Sequence, residues 1–246
     1  MEINMFGKPA IVVVGSINLD LFIEASRFPR AGETFEGDRF FTGGGGKGAN
    51  QAIAASSLTA PGNVMMVGRV GGDNFGEQLI SNFDKYGVLK DRVRVDADRS
   101  SGIALIFIDE TKENYVLPVY GANTGCDDQQ VVDARDAFEN ATVLLVQQEI
   151  PLEVTFAAMN AARVAGVTVV LDPAPVRELP EGFIEAADIV VPNQIEAEAV
   201  TGVPVDDVES ASEAASALRA RGLQAAIIKL GQYGCYVDSA EVVGHV

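Results

Sequence analysis

Thr42-Gly43-Gly44-Gly45-Gly46-Lys47-Gly48-Ala49-Asn50-Gln51 carries four consecutive glycines into a lysine, and an Ala-rich segment expected to be helical over 52–58 follows. Glycine has no Cβ, so the backbone here can adopt positive φ and approach another group closely. The helix start that follows offers unpaired N–H groups and the positive end of a dipole, a setting for an oxyanion or another polar ligand. Gly43, Gly45 and Gly48 fit G-x-G-x-x-G, but the run does not close the first apolar strand of a βαβ unit, as a dinucleotide fingerprint would. It is not a Walker A loop either, because Phe41 stands where the first glycine belongs and Gly48 where Ser or Thr belongs. A flexible glycine linker is the plain alternative, and it does not account for the lysine and helix that follow at once.

Outward from this stretch, the chain alternates strand and helix. Residues 10–15 form a valine-rich apolar run that reads as a strand buried on both faces. Residues 19–41 change texture, with short apolar pieces broken by Pro29, Gly32 and Gly37, and read as small antiparallel strands. Residues 102–108 and 115–120 form a hairpin that completes this β flap from a second insertion. Strands are expected at 63–67, 143–146, 167–171, 189–191 and 225–230, and helices at 77–86, 152–165, 194–201 and 211–221. The rhythm predicts an α/β fold with a doubly wound, mostly parallel sheet. Asn18, Asp20, Glu149, Asp172, Asn193, Lys229 and Gly231 follow the strands, and in open α/β sheets ligands bind at that edge.

A formal charge of −17, from 18 basic and 35 acidic residues, argues against nucleic acid and anionic membrane surfaces as partners. Cys126 and Cys235, far apart and without metal-ligand spacing, suit a reducing compartment and no disulfide. No apolar run spans a membrane and the first nine residues lack a signal-peptide pattern, so a soluble, cytoplasmic protein is expected. His245 is the only histidine, which removes His-based triads and His-cluster metal sites. Acid, amide and glycine chemistry is left, and it suits hydroxyl recognition and phosphoryl transfer, where positioning and charge do most of the catalysis.

Asn18 and Asp20, two apart in extended chain, point the same way and can fork onto sugar hydroxyls; a simple turn is the alternative. Asn193 and Glu196 at a helix start read equally as a capping arrangement. Ser210 with Glu213 reads as a plain capping box, and Asp73 as a helix cap or turn residue. The run Lys229-Leu230-Gly231-Gln232-Tyr233-Gly234 is a tight turn through which backbone could approach a nucleotide.

Taken in order, Gly15-Ser16-Ile17-Asn18-Leu19-Asp20, Gly45-Gly46-Lys47-Gly48-Ala49-Asn50-Gln51-Ala52, Asp172-Pro173-Ala174-Pro175, Pro192-Asn193-Gln194-Ile195-Glu196-Ala197-Glu198 and Leu230-Gly231-Gln232-Tyr233-Gly234 resemble the ribokinase branch of the pfkB sugar-kinase family. That branch sits beside fructokinases and adenosine kinase. The resemblance implies an α/β domain over 1–17, 43–100 and 123–246, a β lid over 18–42 and 101–122, and a homodimer through the lid. It implies transfer of the ATP γ-phosphoryl group to the 5-hydroxyl of ribose with Mg²⁺. Asn18, Asp20, Gly46, Lys47, Asn50 and Glu149 correspond to sugar contacts. Asn193, Lys229, Gly231 and Gly234 correspond to the nucleotide site, and Glu196 to a Mg²⁺ contact through water.

Two departures stand out. Asp172 replaces an Asn common in ribokinases. The family's Asp-Thr-x-x-Ala/Gly-Gly-Asp stretch, with its anion hole and general base, is absent, so no catalytic base is assigned within residues 1–246 and the sequence is expected to be part of a longer one. The remaining adenine pocket and the monovalent-cation (K⁺) site are expected in that further part too. The rival readings are a catalytically dead sugar-binding module, a kinase for another pentose or a nucleoside, and a Rossmann dehydrogenase, which would need an acidic residue about 20 positions beyond the glycines.

Overall fold

A computed structural model describes residues 9–246. In chain order the elements are β1 (Ile11–Val14), β2 (Asn18–Glu24), β3 (Arg39–Gly45), α1 (Lys47–Ser57), β4 (Val64–Gly71), α2 (Asn74–Tyr86), β5 (Leu89–Asp96), β6 (Gly102–Ile108) and β7 (Asn114–Val119). A 3-10 turn (Gly121–Gly125) then leads into α3 (Asp128–Asp133), α4 (Arg135–Phe138), β8 (Val143–Val146), α5 (Leu152–Val164), β9 (Thr168–Leu171) and β10 (Ile189–Val190). The chain continues through α6 (Gln194–Thr201), α7 (Val208–Ala220), β11 (Ala225–Lys229), β12 (Cys235–Ser239) and β13 (Val243–His245).

Nine strands form one sheet in the order β13-β12-β11-β10-β9-β8-β1-β4-β5. From β11 to β5 all neighbours are parallel, and β12 and β13 are antiparallel additions. Alternation along β1 shows why its sequence is uniformly apolar. Val12 and Val14 pack into a core with α3 to α7, whereas Val13 packs into a second core with Ala49 and Ala52 of α1 and Leu79 and Phe83 of α2. A strand covered by helices on both faces has no polar side to show.

From β1 the chain builds outward through β4 and β5, then returns to β1's other side to add β8 to β11. The switch point of this doubly wound sheet therefore lies between β1 and β8, where two outgoing connections diverge and leave a crevice.

The second sheet has the order β3-β2-β6-β7 and hangs from the C-terminal end of β1. Its strands are not all antiparallel as expected, since β2 and β6 run parallel, each arriving from the main sheet in the same direction. Gly43, Gly44 and Gly45 belong to β3, paired with Asp20, Leu19 and Asn18.

Several boundaries differ from the sequence reading. The helix expected over 52–58 begins at Lys47, because Gly46 at φ +84° turns the chain straight from β3 into it. The helix expected from residue 211 begins at Val208: Asp207 caps it, and Ser210 answers as the N3 partner, so the pairing of Ser210 with Glu213 is not the capping box. β5, α3 and α4 were not anticipated, nor were β12 and β13, which extend the sheet beyond β11. Among the described residues no helix is long and apolar enough to cross a membrane.

Candidate active site

At the switch point the chain makes a polar knot. The Ser16 hydroxyl, just after β1, donates to Glu149 Oε2 at 2.5 Å, and the Lys47 backbone N–H at the start of α1 donates to the same oxygen at 2.9 Å. Gly48 N–H in turn donates to Ser16 Oγ at 3.3 Å. A carboxylate thus takes up orphan donors at a helix N-terminus, where the dipole favours negative charge. Glycine is required around it by space. A Cβ on Gly46 would lie 2.7 Å from Asn18 N, and one on Gly48 2.7 Å from the backbone of Gly15 and Ser16.

Asp20 lies over Gly45, where a Cβ would come within 2.2 Å of its carboxylate oxygens. Burial first, and then the charge of Glu149, push the Asp20 carboxyl up to about 6. Two carboxylates thus face one crevice, and a neutral polyol that donates hydroxyl protons to both would relieve their desolvation. Asn18 is 2% exposed, Lys47 is half-buried, and Asn50 is the exposed residue of the otherwise buried first turn of α1, its N–H bonded to Gly46 O at 2.9 Å. All six residues read as sugar contacts therefore gather where β2, β3, α1 and the segment after β8 meet.

The other set lies further along the same edge. Asn193 and Glu196 form a full capping box at the start of α6: Asn193 Oδ1 accepts from Glu196 N–H at 2.8 Å, and Glu196 Oε2 accepts from Asn193 N–H at 2.7 Å. Asn193 Nδ2 also donates to Glu196 Oε1 at 2.9 Å. Lys229 Nζ, at the end of β11, sits 2.8 Å from Asp172 Oδ1 and 3.7 Å from Glu196 Oε2. Asp172 in place of Asn thus acquires a partner: its carboxylate answers a lysine. Of the two glycines in the turn after β11, Gly234 is explained by packing, because a Cβ would meet Val246 O at 2.1 Å, whereas Gly231, at φ +60°, faces open space.

The comparisons with known proteins fall on this same architecture. The pfkB family carbohydrate kinase model matches residues 8–246. The chain belongs to the pfkB family of carbohydrate kinases. Ribokinase of Schizosaccharomyces pombe is 40% identical over 238 residues, covering 94% of this chain and 74% of that protein. Deoxyribokinase of Salmonella typhi is 35% identical over 237 residues, covering 96% of this chain and 77% of that protein. The structure of Arabidopsis thaliana ribokinase complexed with ribose and ATP superposes with a TM-score of 0.87 at 31% identity, covering 98% of this chain and 78% of that one. The pfkB fold and the phosphotransferase class of this chain follow.

Phosphoryl transfer from a nucleotide commonly draws on a divalent cation, so the fit of the residues present matters. Both Glu196 oxygens accept hydrogen bonds from Asn193, and the side chain is 8% exposed. Among the described residues no group of three or more His, Cys, Asp or Glu is placed to hold a metal ion. With Asp172 and Glu196 both facing the Lys229 ammonium, these carboxylates would hold a divalent cation only through water, and not as an all-protein cage.

Sequence reasoning gave no role to Ser16 or Asn123. Ser16 stands in a quoted motif, where its position directly after a buried strand is the signal. Asn123, buried without solvent exposure, has no local signal, because its partners Ile17 and Asn18 lie more than a hundred residues away.

Proposed function

We propose that the chain binds ribose in the crevice between β1 and β8 and ATP along the edge from β9 to β11, as part of an ATP-dependent kinase that phosphorylates ribose at O5. The observation that carries this reading is the Ser16–Glu149–Lys47 knot facing Asp20. It presents two carboxylates, that of Asp20 raised by burial, beside amide and ammonium donors, the mixture that hydroxyl groups need as both donors and acceptors. β8 and β11 are three strand spacings apart, roughly 14 Å at about 4.8 Å each, a span that a nucleotide lying along the edge bridges. Lys229 and the α6 start then meet phosphate, and Glu196 would hold Mg²⁺ through water, a cation that would supply charge neutralisation to the phosphate oxygens.

The names of the relatives include both ribokinase and deoxyribokinase. We favour ribose because the carboxylates of Asp20 and Glu149 are partly buried, so a missing hydroxyl leaves an acceptor unmatched, and sites built on such hydrogen bonds reject the lacking analogue strongly. No Asp-Thr-x-x-Ala/Gly-Gly-Asp stretch occurs in the 246 residues. Substrate binding and phosphoryl transfer are therefore separate properties here, and the residues present are proposed to bind both substrates with little turnover of their own, as a sugar-binding module would. The second sheet is proposed to act as the lid and as the contact between two copies.

The test is calorimetric titration of residues 1–246 with ribose, 2-deoxyribose and fructose, alongside ribose-dependent ADP release. Ribose should bind at least tenfold more tightly than either other sugar. Equal or tighter binding of 2-deoxyribose would replace the ribose reading with the deoxyribose one, and rapid ribose-dependent turnover would return the base to Asp20, Glu149, Asp172 or Glu196.

A further inference from the structure

Asn123 lies in the 3-10 turn after β7 and is completely buried. Its Oδ1 accepts from Ile17 N–H at 2.9 Å, and its Nδ2 donates to Ile17 O at 3.1 Å, Tyr120 O at 2.9 Å and Asn18 Oδ1 at 2.8 Å. The backbone partners settle which way this amide points. An N–H can be met only by the oxygen, and two carbonyls only by the nitrogen, so the Asn123 side chain has one satisfactory orientation.

That orientation passes to the next amide. Facing Asn18 with a donor, Asn123 obliges Asn18 to turn its oxygen inward, and the Asn18 Nδ2 is left without an acceptor among the described residues. Gly102 keeps the contact possible, because a Cβ there would lie 2.2 Å from Asn18 Oδ1 and 2.3 Å from Asn123 Nδ2, between the two groups. Asn123 also ties the entry of the second sheet, Ile17 and Asn18, to its exit at Tyr120.

We infer that Asn123 is a positioning residue for sugar recognition: it locks the Asn18 amide so that Asn18 offers an N–H donor, not a carbonyl acceptor, to the ligand. Beside the acceptor carboxylate of Asp20 this makes a donor–acceptor pair, matched to a hydroxyl that accepts from one side chain while it or its neighbour donates to the other. The inference rests on the ribose-site reading for its ligand and on buried hydrogen-bond satisfaction for its geometry.

Two measurements on residues 1–246 test it. In the unaltered, ligand-free protein, NMR should show slow exchange for the Asn123 side-chain NH₂ protons and fast exchange for those of Asn18, and ribose should shift the Asn18 signal. Asn18 protons as strongly protected as those of Asn123 would overturn the assignment without any variant. In titrations, Asn123→Ala should weaken ribose binding about tenfold and leave ADP binding unchanged, and the double variant Asn18→Ala/Asn123→Ala should bind ribose no more weakly than Asn18→Ala alone. Unchanged ribose affinity in Asn123→Ala, or fully additive losses, would overturn the positioning role. Failure of the unaltered protein to bind ribose would instead strike the ribose reading, and the exchange pattern would still decide the amide assignment.

Discussion

Asp20 shows how a residue can be costly to the fold and useful to the site. Its carboxyl is pushed up to about 6, chiefly by burial and then by Glu149, from an ordinary value of 3.8. Between those two values the folded chain holds a proton that the unfolded chain releases, so this group's contribution to stability is fully present below about 4 and is lost as the pH rises through about 6. Asp20→Asn removes the penalty. At pH 7.5 the variant should be more stable by about 1–2 kcal/mol, the shift being discounted because the group is partly open to solvent, and the gain should fade between pH 6 and 4. Denaturant titrations across that range check this, and a gain independent of pH would show that charge is not the cause. The same substitution should weaken ribose binding, since it exchanges a carboxylate acceptor for an amide. This trade could not be read from the sequence, where Asn18 and Asp20 showed only a shared direction. Their placement over Gly45 and opposite Glu149 depends on how β2 and β3 pair.

Among the elements, those that the sequence revealed are the ones buried on both faces or capped by local signals. β1, β8 and β9 are short apolar runs, and Asp73 before α2 reads as a cap and is one, accepting from Gly76 N–H at 2.8 Å. β5 escaped because Leu-Lys-Asp-Arg-Val-Arg-Val-Asp looks like a charged surface segment; it is the edge strand of the main sheet, and its arginines answer acids on α3 and α4. Arg69 on β4 likewise holds Asp127 at 2.7 Å, which fixes the start of α3. Pairings between positions dozens of residues apart create these elements, and no local periodicity records them.

Asp73 also does more than its cap. Its second oxygen accepts from Ser101 N–H at 2.8 Å, and the Ser101 hydroxyl donates to Oδ1 at 2.6 Å, so one carboxylate joins α2 to the entrance of β6. Those bonds hold its carboxyl below the usual range, against the opposing effect of its own burial. Asp73→Ala should therefore cost about 2–4 kcal/mol, more than a helix cap alone, which is worth about 1. A loss of 1 kcal/mol or less by chemical denaturation would reduce Asp73 to a simple cap.

For the whole molecule, the outward face of the second sheet is the feature that a lone chain does not explain. Tyr115, Leu117 and Val119, alternate residues of β7, share one face with Leu105 on β6 and Phe40 on β3, and all five are exposed. β7 is also an edge strand with free backbone groups, a form that proteins ordinarily protect. Pairing with a second copy across this face is the proposed solution. Light scattering should give a dimer for residues 1–246 and a monomer for Leu117→Asp, which places a charge in the apolar patch; a monomeric parent chain would contradict the arrangement.

The switch point between β1 and β8 is proposed as the sugar site. A crystal structure of residues 1–246 grown with ribose tests it most directly. Ribose should lie in the crevice, with hydroxyls within hydrogen-bonding distance of Asn18, Asp20, Lys47 and Glu149. Ribose bound elsewhere, with those four side chains left untouched, would contradict it.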